Sequence, residues 1–168
     1  GTYEAAKAAA KAGTKFLRHE KNSGKGTAIR TALAAATGAV VLIQDADLEY
    51  DPADYEALLK PFEEGRAEVV YGSRILKADN GRSYARYYWG GRVLSWWTNL
   101  LYGSSISDEP TCYKVFKTDL LRSLDLTCTG FEFCPEATAK LLRRGISIHE
   151  VPISYHPRRI EEGKKIRW

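Results

Sequence analysis

Residues 40–52 read VVLIQDADLEYDP and decide the fold class of the chain. Their first half is a continuous, β-branched apolar run, which is typical of a strand buried on both faces. Three carboxylates, those of Asp45, Asp47 and Glu49, follow at every second position where this run ends. On an extended backbone such side chains lie on one side and repel each other, and a shared Mg²⁺ or Mn²⁺ ion with phosphate and water ligands would relieve the repulsion. A solvated acidic turn or a helix cap is the alternative.

Patterns typical of helices and strands alternate on both sides of this stretch. In the first half of the chain, helices are predicted at residues 2–12 (closed by Gly13), 28–36 and 52–64, and strands at residues 15–18, 39–44 and 68–71. This alternation predicts an α/β fold, with one domain over residues 1–168 whose sheet is mostly parallel and has helices on both faces. Ligands of such sheets bind at the carboxyl ends of the strands, where the three acids lie.

The second half of the chain is less regular. The predicted elements are a helix at residues 84–102 that Gly90 and Gly91 could interrupt, a strand at 111–116, helices at 118–123 and 133–144 (the latter ended by Gly145), and a strand at 147–155. Pro152 restricts the last strand to a sheet edge or a bulge, because proline cannot donate a ladder hydrogen bond.

Composition limits the function classes. With 168 residues, 44% of them hydrophobic, the chain can form one compact core. The net charge of +4 is weaker than is usual for nucleic-acid-binding domains and fits anionic small ligands or a lipid surface. Three cysteines without a C-x-x-C pair argue against a disulfide framework or a zinc ribbon and favour a reducing compartment such as the cytoplasm. No apolar run reaches the roughly 18 residues that span a bilayer, so the domain is expected to be soluble or peripheral.

Seven short motifs follow one another along the chain. They are NSGKG at residues 22–26, QDADLEYDP at 44–52, YGSR at 71–74, TCYKVF at 111–116, FCPE at 133–136, EVPISY at 150–155 and RRIEEGKKI at 158–166. In this order they resemble family 2 of the glycosyltransferases, most closely its polyprenyl-phosphate, dolichyl-phosphate mannose synthase-like branch. The resemblance covers nearly the whole chain. It implies a GT-A (Rossmann-like) fold and an inverting, metal-dependent transfer of a hexose from a GDP- or UDP-sugar to dolichyl or undecaprenyl phosphate.

The resemblance implies roles on the donor side of the site. Asp45 and Asp47 match the D-x-D acids that hold the metal bridging the donor diphosphate. Glu49 occupies the third position of that motif, and Arg74 matches a basic residue beside the phosphates. The metal implied is Mg²⁺ or Mn²⁺.

The resemblance also implies roles around the acceptor. Asp108 stands where relatives carry an acid that faces the acceptor, so it is the candidate general base or orienter, with a turn cap as the alternative. Glu136 matches a helix acid that lines the same cleft. Arg158, Arg159 and Lys164 correspond to a basic loop that binds phosphate, and which arginine makes the contact stays open. A phosphate acceptor is already an anion at neutral pH and needs little help from a base.

Lys25 in the NSGKG motif is a candidate phosphate ligand, although the motif is not a P-loop. The Walker pattern requires Ser or Thr after the lysine, where this chain has Gly26, and a glycine where it has His19. The glycines of the motif either allow a tight turn against the nucleotide site or merely begin a helix.

Residues 84–102 (YARYYWGGRVLSWWTNLLY) carry seven aromatic side chains with Arg86 and Arg92 among them. Aromatic rings with basic neighbours favour the boundary between membrane and water. We expect this segment to lie peripherally at the cytoplasmic face of a membrane and to guide a polyprenyl chain into the cleft. A core helix that covers the sheet is the alternative.

Other functions stay open. The family's base-binding strand and the turn after it would precede the first helix, with Gly1 and Thr2 as only the end of that turn. We therefore expect the first β-α unit of the nucleotide site to be absent and this chain alone to have weak or no transferase activity. A non-catalytic nucleotide- or metal-binding module is one alternative. A family 2 glycosyltransferase with a polysaccharide or other glycan acceptor is another. No nucleic-acid partner is expected, and the sequence does not indicate an oligomeric state.

Overall fold

In the computed structural model, which describes residues 1–81 and 85–158, four strands form one sheet. The strands are β1 (Val40–Leu42), β2 (Val69–Ser73), β3 (Lys114–Lys117) and β4 (His149–Pro152). The α-helices of the described residues are α1 (Thr2–Ala8), α2 (Lys25–Ala35), α3 (Tyr55–Glu63), α4 (Ala85–Tyr102), α5 (Thr118–Ser123) and α6 (Phe133–Arg143). A short 3₁₀ helix, Pro52–Asp54, leads into α3.

The order of strands in this sheet is β1-β3-β2-β4. β3 pairs antiparallel with both β1 and β2, whereas β2 and β4 are parallel. Strands β1, β2 and β4 therefore run in one direction, and β3 runs against them from a place between β1 and β2. The prediction of a mostly parallel sheet holds for strand direction, since three of these four strands run the same way. It is wrong for pairing, because β3 separates β1 from β2 and pairs antiparallel with both.

Alternate residues of β2 and β3 face two different cores. Val69, Tyr71 and Phe116 pack on one face with side chains of α2, α5 and α6. Val70 and Val115 pack on the other face, with side chains of α3. This alternation follows from the period of two in a strand. Helices cover both faces of the sheet, as predicted.

Three predicted elements near the N-terminus are shorter or absent. β1 has three half-buried residues instead of the buried strand predicted at 39–44, since it lies at an edge of the described sheet and pairs there with β3. Residues 15–18 form no strand, and they have no neighbour in this sheet to pair with. Helix α1 ends at Ala8, well before Gly13, because none of its residues is buried and a short helix without packing is marginal.

The observed bounds of several other elements agree better with the predicted ones. α5 has the predicted bounds, and α6 ends just before Gly145, whose φ of +71° lies in the left-handed region. β4 is an edge strand, as Pro152 requires. α2 begins at Lys25, earlier than predicted, and α4 continues through Gly90 and Gly91 without a break.

Candidate active site

The carboxyl ends of β1, β2 and β4 lie at the same edge of the sheet because these strands run in one direction. The acidic segment, residues 45–50, follows β1, Arg74 follows β2 directly, and Arg158 comes after β4. A bridge between Tyr50 and Tyr155 joins the acidic segment to the chain after β4. Predicted metal and phosphate ligands from distant parts of the sequence therefore meet at one edge.

The acidic segment is bent rather than extended. Leu48 has a φ of +63°, in the left-handed region. The carboxylate of Asp47 accepts a hydrogen bond from the backbone N–H of Glu49 at 3.1 Å, which closes a local turn. The premise that the three acids share one side of an extended strand is therefore wrong, because the backbone leaves strand geometry after Leu42.

All three acids form ion pairs with basic residues of the predicted phosphate site, the weakest being that of Glu49, whose Oε1 lies 3.5 Å from Arg158 Nε. Lys25 Nζ lies 2.7 Å from an oxygen of Asp45, and Arg158 Nη2 lies 2.9 Å from Asp47 Oδ2. Burial would lower the pKa of Lys25, but Cys112 and Asp45 beside it outweigh burial and raise the pKa to about 12. Lys25 is therefore a permanent cation at this edge.

Glu49 is buried and holds the chain after β4. Its carboxylate accepts hydrogen bonds from the Tyr155 hydroxyl at 3.2 Å and from the backbone N–H of Arg158 at 3.0 Å. Residues 1–81 and 85–158 contain no group of three or more Asp, Glu, His or Cys side chains placed to hold a metal ion, so the predicted set of three carboxylates is not assembled. Asp45 and Asp47, with side chains 25% and 27% exposed, still fit Mg²⁺ or Mn²⁺, which takes one or two carboxylates together with phosphate and water.

Asp108 and Arg74 form a bidentate ion pair. Arg74 Nη2 donates to one carboxylate oxygen at 2.7 Å, and Nε and the backbone N–H donate to the other at 2.8 and 2.9 Å. Burial would raise the pKa of Asp108, but Arg74 lowers it below the ordinary value. Of the two predicted roles, the geometry favours the orienter over the general base, since a carboxylate held in this way is a poor proton acceptor.

Glu136 contacts a loop rather than the other predicted site residues. Its carboxylate accepts hydrogen bonds from the backbone N–H groups of Thr127 at 2.9 Å and Cys128 at 2.8 Å, and it forms an ion pair with Lys140 at 2.7 Å. The hydrogen bonds of the described residues do not join it to Asp108. The expectation that it lines the acceptor cleft therefore has no support in its contacts.

Glu132, which the sequence analysis misses, completes this arrangement. Its Oε1 accepts hydrogen bonds from the backbone N–H groups of Thr129 and Gly130, both at 2.7 Å. Glu132 and Glu136 thus bind the N–H groups of four consecutive residues, 127–130, which we call the carboxylate-held loop. Two glutamates one helical turn apart at the start of a predicted helix are the sequence signal that could have indicated them.

The carboxylate-held loop packs against the beginning of α2. The backbone N–H groups of Gly26 and Thr27 donate to the carbonyls of Gly130 and Thr129, both at 3.1 Å. These N–H groups belong to the first turn, which a helix leaves unpaired. Because the loop already uses them, these two N–H groups are not available to a ligand at this end of α2.

Gly24 and Gly26 make the approach of this loop possible. A Cβ on Gly26 would lie 2.8 Å from the carbonyl oxygen of Cys128, and one on Gly24 would overlap that of Thr129. Helix α2 does begin at these glycines, as one interpretation had it. Their lack of side chains also serves backbone packing, which neither interpretation foresaw.

Two predicted phosphate ligands, Arg159 and Lys164, lie outside the described residues. Three further site residues lie within the short motifs of the sequence, but the sequence assigns them no role. Gln44 anchors the start of the acidic segment by accepting hydrogen bonds from the hydroxyls of Tyr55, at 3.1 Å, and Tyr113. The other two are Tyr155, on Glu49, and Glu150, which binds the segment that carries Asp108.

Helix α4 turns its polar side chains toward the protein. Ser95 Oγ accepts a hydrogen bond from the backbone N–H of Glu109 at 2.9 Å, and the amide of Asn99 exchanges two with the backbone of Ile106 at 2.8 and 2.9 Å. Its large apolar side chains form an outward face. They are Trp89, Val93, Leu94, Trp96, Trp97, Leu100 and Leu101, each between 45% and 66% exposed. The alternative of a core helix is wrong, because Ser95 is the single buried residue of α4.

Comparison with known proteins gives consistent matches. The family model described as Glycosyl transferase family 2 matches residues 1–125. The low-salt glycan biosynthesis hexosyltransferase Agl6 of Haloferax volcanii is 30% identical over 137 residues, which are 80% of this chain and 33% of that protein. The UDP-N-acetylglucosamine–dolichyl-phosphate N-acetylglucosaminyltransferase of Methanococcus voltae is 31% identical over 143 residues, 82% of this chain and 57% of that protein. The chain thus spans between a third and just over half of these relatives.

Solved structures of one enzyme share the fold. Glucosyl-3-phosphoglycerate synthase from Mycobacterium tuberculosis, in complex with Mg²⁺ and UDP, superposes with a TM-score of 0.62 at 20% identity, over 83% of this chain and 49% of that one. At this identity the likeness concerns the fold alone.

Proposed function

The chain belongs to glycosyltransferase family 2 and has the GT-A fold, and from this premise we propose that it moves a hexose from a nucleotide sugar to a polyprenyl phosphate. The donor is a GDP- or UDP-sugar, the acceptor is dolichyl or undecaprenyl phosphate, and the sugar carbon is inverted. Similarity to an enzyme named for dolichyl phosphate supports the acceptor. The fold shared with an enzyme solved with Mg²⁺ and UDP supports a metal-bound diphosphate donor.

The pairing of two carboxylates with two cations at one sheet edge carries this proposal. Asp45 meets Lys25 at 2.7 Å, and Asp47 meets Arg158 at 2.9 Å. With the donor bound, Asp45 and Asp47 would hold Mg²⁺ or Mn²⁺, while Lys25 and Arg158 would bind diphosphate oxygens. Each group then has a partner of opposite charge with and without donor, so neither state leaves a half-buried charge unpaired.

Departure of the diphosphate is the step that these residues assist. A divalent cation, when bound, supplies Lewis-acid stabilisation of the negative charge that develops on the leaving group. Arg158 stabilises the same charge, because a guanidinium fork can meet two phosphate oxygens at once. Arg74 contributes its positive charge and its remaining N–H groups, since Asp108 already accepts from its Nε and Nη2. Asp108, whose pKa Arg74 lowers, stays ionised and orients Arg74. A phosphate acceptor is an anion at neutral pH, so the reaction needs no strong base.

The outward face of α4 supports an acceptor that is presented by a membrane. A soluble surface helix normally buries its apolar side, whereas α4 buries a polar side and exposes three tryptophans. The helix carries no acidic residue and two arginines, which suits the headgroup region of a lipid surface. The described residues include no helix with the length and apolar character of a membrane span. We propose that α4 lies in the interface plane at the cytoplasmic face.

Transfer of labelled sugar tests the proposed reaction. The full-length protein is incubated with labelled GDP- or UDP-hexoses and Mn²⁺, and with either a polyprenyl phosphate or a soluble oligosaccharide as acceptor. We expect label in the lipid fraction, and we expect Asp45→Asn and Asp47→Asn to lower kcat/KM at least about a hundredfold, since several kcal/mol of charge stabilisation depend on them. Asp119→Asn, on a carboxylate that is 98% exposed, is the matched control.

Other outcomes would select the alternatives. Label that enters the oligosaccharide in preference to the lipid would contradict the polyprenyl acceptor and favour a glycan acceptor. Binding of nucleotide and Mn²⁺ without any transfer would favour a non-catalytic module.

A further inference from the structure

The carboxylate of Glu150, on β4, is a hub of hydrogen bonds beside the proposed phosphate site. Its Oε2 accepts a hydrogen bond from the backbone N–H of Ser107 at 2.7 Å. Its Oε1 accepts from the Ser107 hydroxyl and from the backbone N–H of Asp108, both at 3.0 Å. All of these donors belong to two consecutive residues, so Glu150 determines where this short piece of backbone lies.

The same backbone is held from two more sides. The hydroxyl of Ser107 lies 2.6 Å from that of Ser73, the last residue of β2. Arg92, on α4, donates a hydrogen bond to the Ser107 carbonyl at 3.2 Å. Residues 107 and 108 therefore contact β2, β4 and α4. Glu150 accepts three hydrogen bonds from them, whereas Ser73 and Arg92 each contribute one.

The position of residues 107 and 108 determines the orientation of Arg74, because Asp108 binds its side chain. Asp108 takes the Nε and Nη2 groups of Arg74 in a fork, and it also accepts the Arg74 backbone N–H. A fork of this kind fixes the plane of the guanidinium as well as its position. A shift of the Asp108 backbone would therefore turn the guanidinium plane of Arg74 and change the direction of its remaining N–H groups.

We propose that Glu150 is a positioning residue for Arg74 and acts through residues 107 and 108. The proposal rests on the proposed function, in which Arg74 binds phosphate. Ionised glutamate suits the place because it has only acceptors, and it meets only donors here. Glutamine in the same position would present an NH₂ group to one of the two backbone N–H groups and displace the segment.

The test follows the Nε–H proton of Arg74 by ¹H–¹⁵N NMR, with Arg74→Lys to assign the signal. In the wild type this proton donates to a buried carboxylate and should exchange slowly with water. In Glu150→Gln we expect its exchange to accelerate about tenfold or more, and the affinity for Mg²⁺-pyrophosphate to fall by a similar factor, because a buried donor loses its acceptor. Glu68→Gln, which removes an exposed carboxylate paired with Lys117, is the matched control and should change neither quantity.

Each result bears on the proposal. Wild-type proton exchange and wild-type pyrophosphate affinity in folded Glu150→Gln would overturn it. If Glu150→Gln does not fold, Glu150→Asp takes its place, because it keeps the charge and withdraws the acceptors by one methylene. The NMR signal does not require sugar transfer. If the wild type binds no pyrophosphate while exchange is faster in Glu150→Gln, the result would therefore contradict the proposed function and leave the positioning role supported.

Discussion

Several carboxylates of this chain act as acceptors for backbone N–H groups. Glu132 and Glu136 hold the carboxylate-held loop, and Glu150 holds the segment that carries Asp108. Such an arrangement stabilises the fold only while the carboxylate is ionised, since a protonated carboxyl presents a donor where it meets donors. The carboxylate-held loop, in which hydrogen bonds lower the pKa values of Glu132 and Glu136, is therefore sensitive to acid.

Glu136 allows this sensitivity to be predicted with its sign. Burial would raise its pKa, but hydrogen bonds from Lys140, Thr127 and Cys128 outweigh burial and lower the pKa from 4.5 to about 2. Its contribution to stability is therefore fully present above about pH 4.5 and is lost as the pH falls to about 2. We expect Glu136→Gln to be less stable than wild type at neutral pH and to lose less of its melting temperature between about pH 5 and about pH 2.

Thermal unfolding followed by circular dichroism over this pH range measures the difference. Glu4→Gln is the control, because no residue of α1 is buried. Parallel melting curves for Glu136→Gln and wild type across the acidic range would contradict the assigned role of the carboxylate.

The junction between α2 and the carboxylate-held loop depends on Gly26, whose surroundings are the opposite of those of Gly90. A Cβ on Gly26 would lie 2.8 Å from the Cys128 carbonyl oxygen, whereas a Cβ on Gly90, within α4, would meet nothing within 4 Å. We expect Gly26→Ala to destabilise the protein by roughly 1–3 kcal/mol, because overpacking pushes the loop away. Gly90→Ala should stabilise it by about 0.5–1 kcal/mol, because alanine has the higher helix propensity.

Urea unfolding of the two variants gives these free energies directly. The opposite signs make each variant the control of the other, since both changes add one methyl group to a helix. A Gly26→Ala variant as stable as wild type would mean that the loop shifts without cost. The close backbone packing would then contribute nothing to the free energy of unfolding.

Replacement of two tryptophans tests the outward face of α4. Trp96 and Trp97 are 57% and 49% exposed, so the double replacement by serine removes partly buried ring surface and should lower the free energy of unfolding by about 1–2 kcal/mol per site. If α4 lies on a membrane, the loss of two indole rings should weaken binding to vesicles at least about tenfold, since burial of such side chains contributes a few kcal/mol.

Vesicle co-sedimentation measures this binding with anionic and with zwitterionic lipids. Phe131→Ser is the matched control, because this side chain is 70% exposed but does not belong to α4. Equal sedimentation of the double variant and the wild type would remove the membrane from the proposed function.

Across the whole chain, local chemistry predicts element ends better than it predicts the site. Gly145 ends α6 and Pro152 marks an edge strand, because each effect depends on the residue's own backbone preference. The bend at Leu48 has no such signal, since leucine does not favour the left-handed region. Glu49 binds the backbone of Arg158 from a distance of 109 residues along the chain, and no local pattern records such a contact.

The arrangement of strands has the same explanation. An alternation of strand and helix patterns correctly predicts an α/β fold with both faces covered. It does not reveal that β3 is inserted against the direction of its neighbours, because strand order depends on pairing between distant segments. The ion pairs of the acidic segment also join residues that are far apart in the sequence, so only the folded chain reveals them.

Because distant segments meet at the acidic segment, metal and diphosphate should bind cooperatively. Asp45 and Asp47 are already neutralised by Lys25 and Arg158 in the absence of ligands. A metal ion alone would take Asp45 from Lys25 and leave Arg158 with only the more distant Glu49 carboxylate, and a diphosphate alone would compete with the acids for both cations. With both ligands present, every charge has a partner. We therefore expect the rise in melting temperature with Mn²⁺ and UDP or GDP together to exceed the sum of the separate rises.

A thermal-shift series with each ligand alone and in combination measures this coupling. Asp47→Asn should abolish the excess, because it removes a carboxylate shared by the metal and Arg158, whereas Asp119→Asn, which is 98% exposed, should retain it. Strictly additive rises in the wild type would mean that metal and diphosphate bind independently. The cations and acids at this edge of the sheet would then form only structural ion pairs and would not exchange partners when the donor binds.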